Sequence, residues 1–232
     1  MKEQPAHESV RIVARLLVVL VLLPMLPLFV SWHWAWWQAW VYLFLAIAGF
    51  AVSRAIAARR NPDLLSERAR SFEHENVKPW DRVLAPLVGI GGALVPLVAG
   101  LDARFGWSAP FSVWVTALAL AVVIAGYGIA SWALIENRFF SGVVRIQLER
   151  GHHVVSSGPY AAVRHPGYAG GLLSYLAIPF LLDSWWALVP AVLLMGALVV
   201  RTRLEDAVLR EELPGYADYA RRVRYRLVPG VW

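Results

Sequence analysis

Cysteine is absent from the 232 residues. Its absence excludes disulfides, thiolate nucleophiles and thiolate-rich zinc sites, and leaves the redox compartment unread. Charge is sparse: Asp, Glu, Lys and Arg make up 16% of the chain, against roughly 25% in soluble domains. There is no Walker loop, HExxH or GxSxG. No GxGxxG follows a strand either. Gly89-Ile90-Gly91-Gly92 lies inside an apolar run, where small residues serve helix packing. The apolar runs lack midplane ionisable pairs, which argues against a transporter with a midplane site.

What is present is apolar. Arg15 and Arg54 bracket 38 residues without Asp, Glu, Lys or Arg, Arg82 and Asp102 bracket 19, and Arg104 and Glu136 bracket 31. A bilayer-spanning helix needs about 20 such residues, so the chain reads as an integral membrane protein. The first run is too long for one span; it holds Pro24, Pro27 and the aromatic knot SWHWAWWQAW and divides near His33. Spans are predicted at 12–31, 35–56, 83–101, 112–135, 168–182 and 185–200. Lys2, Arg11 and Arg15 before an apolar stretch suit a signal peptide, but no small-residue cleavage site follows and a retained first helix is expected.

The net charge of +6 follows topology. Counted over the alternate connections, 21 of 22 basic residues fall on one side, with Arg104 the exception. The positive-inside rule then predicts six passes with both termini cytoplasmic. The basic excess serves orientation and lipid attraction, and nucleic acid is not expected. Trp32, Trp34, Trp36, Trp37, Trp40, Trp107, Trp114, Trp185 and Trp186 map near the opposite face as an interfacial belt. The last two spans are short for a hydrocarbon core of about 30 Å, which allows a hairpin that stops before the far face. The last helix continues to about Leu213 and ends before Pro214-Gly215.

The expected fold is therefore all-α: a polytopic membrane bundle of five to six helices with a short C-terminal hairpin and a cytoplasmic site. Residues 1–135 form a four-helix transmembrane region with the inner loop 57–82. That loop carries NPDLLSERAR, a turn opening a short interfacial helix. Residues 136–232 form a functional half, with the helical hairpin over 168–213 and a cytoplasmic tail.

The chemistry concentrates in GPYAAVRHPGY, residues 158–168. Pro166 suits a first helical turn and excludes His165 from helical geometry. The helix mouth offers free N–H groups and partial positive charge to an anion, and Arg164 and His165 add donors. Tyr160 and Tyr168 offer aromatic faces to a base or a cation. The same residues also suit a plain helix start with a snorkelling arginine and belt tyrosines. In RTRLEDAVLREE, Arg201 and Glu205 are i, i+4 on one helix face. They read either as a local salt bridge or as a paired cation and anion for a zwitterionic ligand or two ligands.

GPYAAVRHPGYAGG, the preceding IQLERGHHVVSSG, RTRLED and the closing LPGYADYARRVRYRLVPGVW together resemble the isoprenylcysteine carboxyl methyltransferase family and the related phospholipid N-methyltransferases. The resemblance covers about 136–232. It implies a membrane-embedded methyltransferase that uses S-adenosyl-L-methionine without a Rossmann fold. It implies a cofactor pocket with Gln147, His152, Val154, Gly158, Tyr160, His165, Tyr168 and Glu205, to which the helix-mouth argument adds Arg164. Arg201 and Glu205 match the arginine and glutamate beside the methyl acceptor. Asp206 stands where relatives often repeat Glu, and the Gln147–His152 spacing differs from the eukaryotic enzymes. The acceptor is expected to be lipophilic or membrane-soluble, like an isoprenylcysteine carboxylate, with membrane lipid as the other partner. A bacterial inner membrane is the expected location. An NADPH-dependent membrane sterol or steroid-type reductase, with RRVRYR meeting the phosphate, and a non-enzymatic scaffold or transporter remain alternatives.

Overall fold

The computed structural model describes residues 21–232, so residues 12–20 of the first predicted span lie outside the described residues. The described chain is all-helical, with 68% of it in helix. The elements are α1 (Leu23–Ser31), α2 (Trp37–Arg60), α3 (Leu64–Ala69), α4 (Asp81–Phe105), α5 (Val113–Glu136), α6 (Pro166–Leu181), α7 (Leu188–Glu212) and α8 (Tyr216–Arg222). Among the described residues, α2, α4 and α5 are long and apolar enough to cross a membrane. They are the core of an integral membrane bundle.

Local chemistry sets the ends. Trp32 closes α1 in the left-handed region at φ 59°, and its N–H returns to the Leu28 carbonyl. Gly106 closes α4 at φ 65°. Ser112 opens α5 by accepting from the Val115 N–H. Pro166 opens α6, with His165 outside helical geometry at φ −127°, as the Arg-His-Pro triplet predicts. The last long helix runs to Glu212 and stops before Pro214-Gly215.

The interior is a seam of Leu28, Val95, Val123, Ile178, Leu194 and Leu198. The outward faces are apolar as well, with Phe44, Ile90, Leu118 and Leu193 exposed, as a lipid-facing surface requires. The tightest contact joins α5 to α6. A Cβ on Gly126 would lie 2.6 Å from the Gly170 carbonyl oxygen, and one on Gly170 would lie 2.5 Å from that of Gly126. Only hydrogen at both positions lets the backbones approach so closely. Gly91 faces Leu194 and Gly92 faces Tyr175, so these small residues do serve helix packing.

One rim is pinned by two aspartates. Buried Asp102 accepts from the Ser108 N–H (2.8 Å), the Ser108 hydroxyl (2.7 Å) and the Ser184 hydroxyl (2.5 Å). Asp183 accepts from the Gln38 amide (2.6 Å) and the Phe111 N–H (3.0 Å). These bonds put the α6–α7 turn level with the start of α2, the end of α4 and the chain entering α5. The hairpin therefore reaches the same rim as its neighbours, the question its length had left open. The shortness shows at the other end. α6 has 16 residues against 24 in α5 and 25 in α7, so it falls about 12 Å short of them at 1.5 Å per residue. The stretch 137–165, the inner loop 61–80 and the tail after α7 close over the recess.

Candidate functional site

The recess holds a cavity of about 310 Å³ between α4, α6, α7 and the 137–155 segment, within the range of small-ligand sites. Of the residues expected to form a site, Gln147, His152, Val154, Tyr160, Arg164, His165, Tyr168, Arg201 and Glu205 all line it. Gly158 does not. It occupies a turn at φ +55°, and an added Cβ would meet Glu136 and Trp132 at 3.0 Å. Its part is to let this turn sit against the end of α5.

Arg164 and His165 enter the recess ahead of α6, and both are buried. Arg164 donates through Nε and Nη2 to Asp206 (2.7 and 3.1 Å) and through Nη1 to the carbonyls of Val223 and Arg224 (both 2.7 Å). Four bonds nearly exhaust its five N–H groups. Its main office is to tie α7 to the tail. The Asp206 carboxylate also accepts from the Tyr216 hydroxyl (3.0 Å) and from Arg210 and Arg226 (3.1 and 2.9 Å). The His165 ring lies 3.4 Å from both Asp206 and the Tyr216 hydroxyl, while its backbone N–H donates to the Arg226 carbonyl at 2.9 Å. Burial opposes ionisation of Asp206, but hydrogen bonds from His165 and Arg164 outweigh it and hold the carboxyl well below the usual range. Burial and the Asp206 charge push the Tyr216 phenol up, so it stays neutral.

Arg201 and Glu205 share a face of α7 yet turn to different partners. Arg201 forks onto Asp81 of α4 (Nε–Oδ1 2.7 Å, Nη2–Oδ2 2.9 Å) and donates to the Gly142 carbonyl at 2.9 Å. Asp81 is fully buried and also accepts the Val144 N–H at 2.6 Å. Nη1 of Arg201 makes no hydrogen bond among the described residues. Glu205 accepts the Tyr168 hydroxyl at 2.6 Å, and no cation of the described residues pairs with it. The Arg201 guanidinium lies 5.5 Å from the Tyr168 ring centroid. A cation and an anion thus stand side by side without neutralising each other.

The opposite wall comes from 137–155. Gln147 is buried. Its amide donates to the Phe139 carbonyl at 2.8 Å and its oxygen accepts from Arg150. The Gln147 N–H donates to Nδ1 of His152 (3.3 Å), whose ring lies against Phe139 at a 33° tilt with centroids 4.5 Å apart. Burial, reinforced by His153, Arg145 and Arg150, pushes the His152 pKa down to about 4, so the ring is neutral and carries its proton on Nε2. The Tyr160 hydroxyl takes a bond from Asn137 and gives one to the Ala133 carbonyl (both 3.3 Å), and burial pushes its pKa up. Val154 packs with Ile146, Leu213, Tyr216 and Tyr219.

Sequence reasoning missed Asp81, Tyr216, Asn137, Phe139 and Arg68 as wall or support residues. Asp81 had one faint signal: it is an acid at the head of a span, on a rim with a basic excess.

Four similarities bear on this arrangement. Residues 114–214 match the phospholipid methyltransferase family. The cobalt-zinc-cadmium resistance protein CzcN of Cupriavidus metallidurans is 34% identical over 144 residues, covering 58% of this chain and 60% of that protein. Protein-S-isoprenylcysteine O-methyltransferase B of Arabidopsis thaliana is 28% identical over 113 residues, covering 47% and 57%. A probable protein-S-isoprenylcysteine O-methyltransferase of Oryza sativa subsp. indica is 38% identical over 61 residues, covering 26% and 32%. The chain thus spans about three fifths of the length of the first two relatives.

Proposed function

With residues 114–214 belonging to the phospholipid methyltransferase family, we propose that the protein is a membrane methyltransferase. It takes its methyl group from S-adenosyl-L-methionine and gives it to a lipophilic or membrane-soluble acceptor, of which an isoprenylcysteine-like carboxylate is the leading class. One observation carries the reading. Glu205, at the edge of an apolar bundle, lines the cavity, and among the described residues its one direct polar partner is the Tyr168 hydroxyl. Such a carboxylate calls for a cationic ligand.

The residues present fit the donor. Glu205 would meet its ammonium or sulfonium charge. The flat faces of His152, Phe139 and Tyr168 suit an adenine. When bound, S-adenosyl-L-methionine supplies an electrophilic methyl on a positively charged sulfur. The protein aligns the acceptor and excludes water, which methyl transfer needs more than acid–base help. Asp81 holds the Arg201 fork on one edge, leaving Nη1 for an acceptor oxygen. A carboxylate acceptor needs no base there. An amine acceptor would lose its proton to Glu205. The recess faces the basic rim, which the positive-inside rule places in the cytoplasm beside the donor supply.

Calorimetry with S-adenosylhomocysteine in detergent tests the reading, with Glu205→Gln and NADPH alongside. The expected result is micromolar binding by the wild type, at least about tenfold weaker in the variant, and none for NADPH. Absence of binding to well-folded wild-type protein would refute it.

A further inference from the structure

Four arginines line the recess: Arg68, Arg145, Arg164 and Arg201. Three have carboxylate partners. Arg145 pairs with Glu67 and Glu149, Arg164 with Asp206, and Arg201 with Asp81. Arg68, on the short helix α3 of the inner loop, has none within 4.0 Å among the described residues. Among the described residues its side chain makes one hydrogen bond, from Nη1 to the Phe140 carbonyl at 3.2 Å. The guanidinium sits 5.2 Å from the Phe140 ring centroid. The nearest acid in sequence, Glu67, is committed to Arg145.

A guanidinium is never discharged at working pH, so withdrawing it from water without a counter-charge is costly. Arg68 is half-buried, and burial, with Arg201 nearby, pushes its pKa down to about 10. The cavity carries the opposite imbalance in Glu205. A zwitterionic donor together with an anionic acceptor would settle both.

We propose that Arg68 is an anion-binding residue of this cavity, contacting a carboxylate of a bound ligand. The inference rests on the methyl-transfer reading for the ligand's identity, though not for the charge argument. Two ligands can bring the carboxylate: the amino-acid end of the methyl donor, or the acceptor. Arg164, the sequence-level choice for the donor's carboxylate, is occupied by Asp206 and the tail carbonyls. That leaves Arg68 as the cation without a carboxylate partner, open to the donor's carboxylate or, beside Nη1 of Arg201, to the acceptor's. Phe140 beside Arg68 also walls a second cavity of about 370 Å³ within the bundle, lined by Tyr42, Tyr127 and Tyr175.

Calorimetry on the full chain in detergent tests this with two probe pairs. S-adenosylhomocysteine is compared with S-(5′-adenosyl)-3-thiopropylamine, which keeps the amine and lacks only the carboxylate. N-acetyl-S-farnesylcysteine is compared with its methyl ester, which lacks the free carboxylate. In the wild type, the carboxylate member of one pair should bind about 10- to 100-fold tighter. Arg68→Gln should erase most of that advantage, and Arg68→Lys should restore a part of it. Loss in the first pair assigns the donor's carboxylate, and loss in the second assigns the acceptor's. An advantage that survives in Arg68→Gln, or no advantage in either wild-type pair, overturns the proposal. Wild-type protein that binds neither adenosyl probe would defeat the methyl-donor reading, while the farnesyl pair would still decide Arg68. The lysine variant guards against misfolding, since it keeps the charge in the same fold.

Discussion

At the residue scale, Asp206 is the knot of the C-terminal half. It gathers Arg164, Arg210, Arg226, Tyr216 and His165 from four segments. Asp206→Asn leaves the Arg164 guanidinium buried with no counter-charge. The expected loss is about 3–5 kcal/mol, on the order of 10 °C in thermal midpoint for a chain of this size, read in detergent. Acidity acts in the same direction through two groups. His152 has a pKa pushed from 6.5 to about 4, so the unfolded chain binds the extra proton between those values. Its contribution is complete above 6.5 and is lost as pH falls through 4. Asp206 is held below its ordinary 3.8, so its contribution is complete above about pH 5 and is lost on further acidification. Thermal midpoints should be flat from pH 7 to 8 and decline below 6.5. His152→Gln should flatten the upper part of that decline. The sequence made Arg164, His165, Arg201 and Glu205 legible because each stands out on a helix mouth or face. Their partners were not legible. Asp81 lies 120 positions from Arg201 and Asp206 lies 42 from Arg164, and helix periodicity reports only neighbours within a turn. The i, i+4 pair that spacing suggested gives way to two cross-element pairs.

At the element scale, the α5–α6 seam depends on Gly126 and Gly170. Gly170→Leu would drive a side chain into the α5 backbone, 2.5 Å from a carbonyl oxygen. Destabilisation by about 2–3 kcal/mol is expected, together with weaker S-adenosylhomocysteine binding, because α6 carries Tyr168. Wild-type stability in Gly170→Leu, measured by thermal unfolding in detergent, would count against this seam. Most element positions were readable from charge-free runs, from Pro166 and from Pro214-Gly215. The shortness of α6 was readable too. The rim at which it falls short was not, because that depends on Asp102 and Asp183 reaching Ser184, Gln38 and the Phe111 backbone.

At the scale of the whole molecule, orientation follows from charge and is directly testable. The native chain has no cysteine, so single introduced cysteines label against a blank background. A cysteine at Arg203 should be protected from an impermeant maleimide in intact cells and react after lysis. One at Trp107 should react in intact cells. The reverse pattern would invert the assignment and remove the donor supply from the cavity's side. The cavity walls come from segments spread between Arg68 and Tyr219. No single motif describes such an assembly, so the sequence suggested a C-terminal site while the structure adds the inner loop and α4 to it.

The recess left by the short α6 lies at one rim of the bundle alone. An acceptor drawn from the bilayer would therefore come from a single leaflet and return there methylated. Such an enzyme would write a compositional asymmetry across the membrane. The asymmetry would last only as long as the product's spontaneous flip-flop is slower than its synthesis.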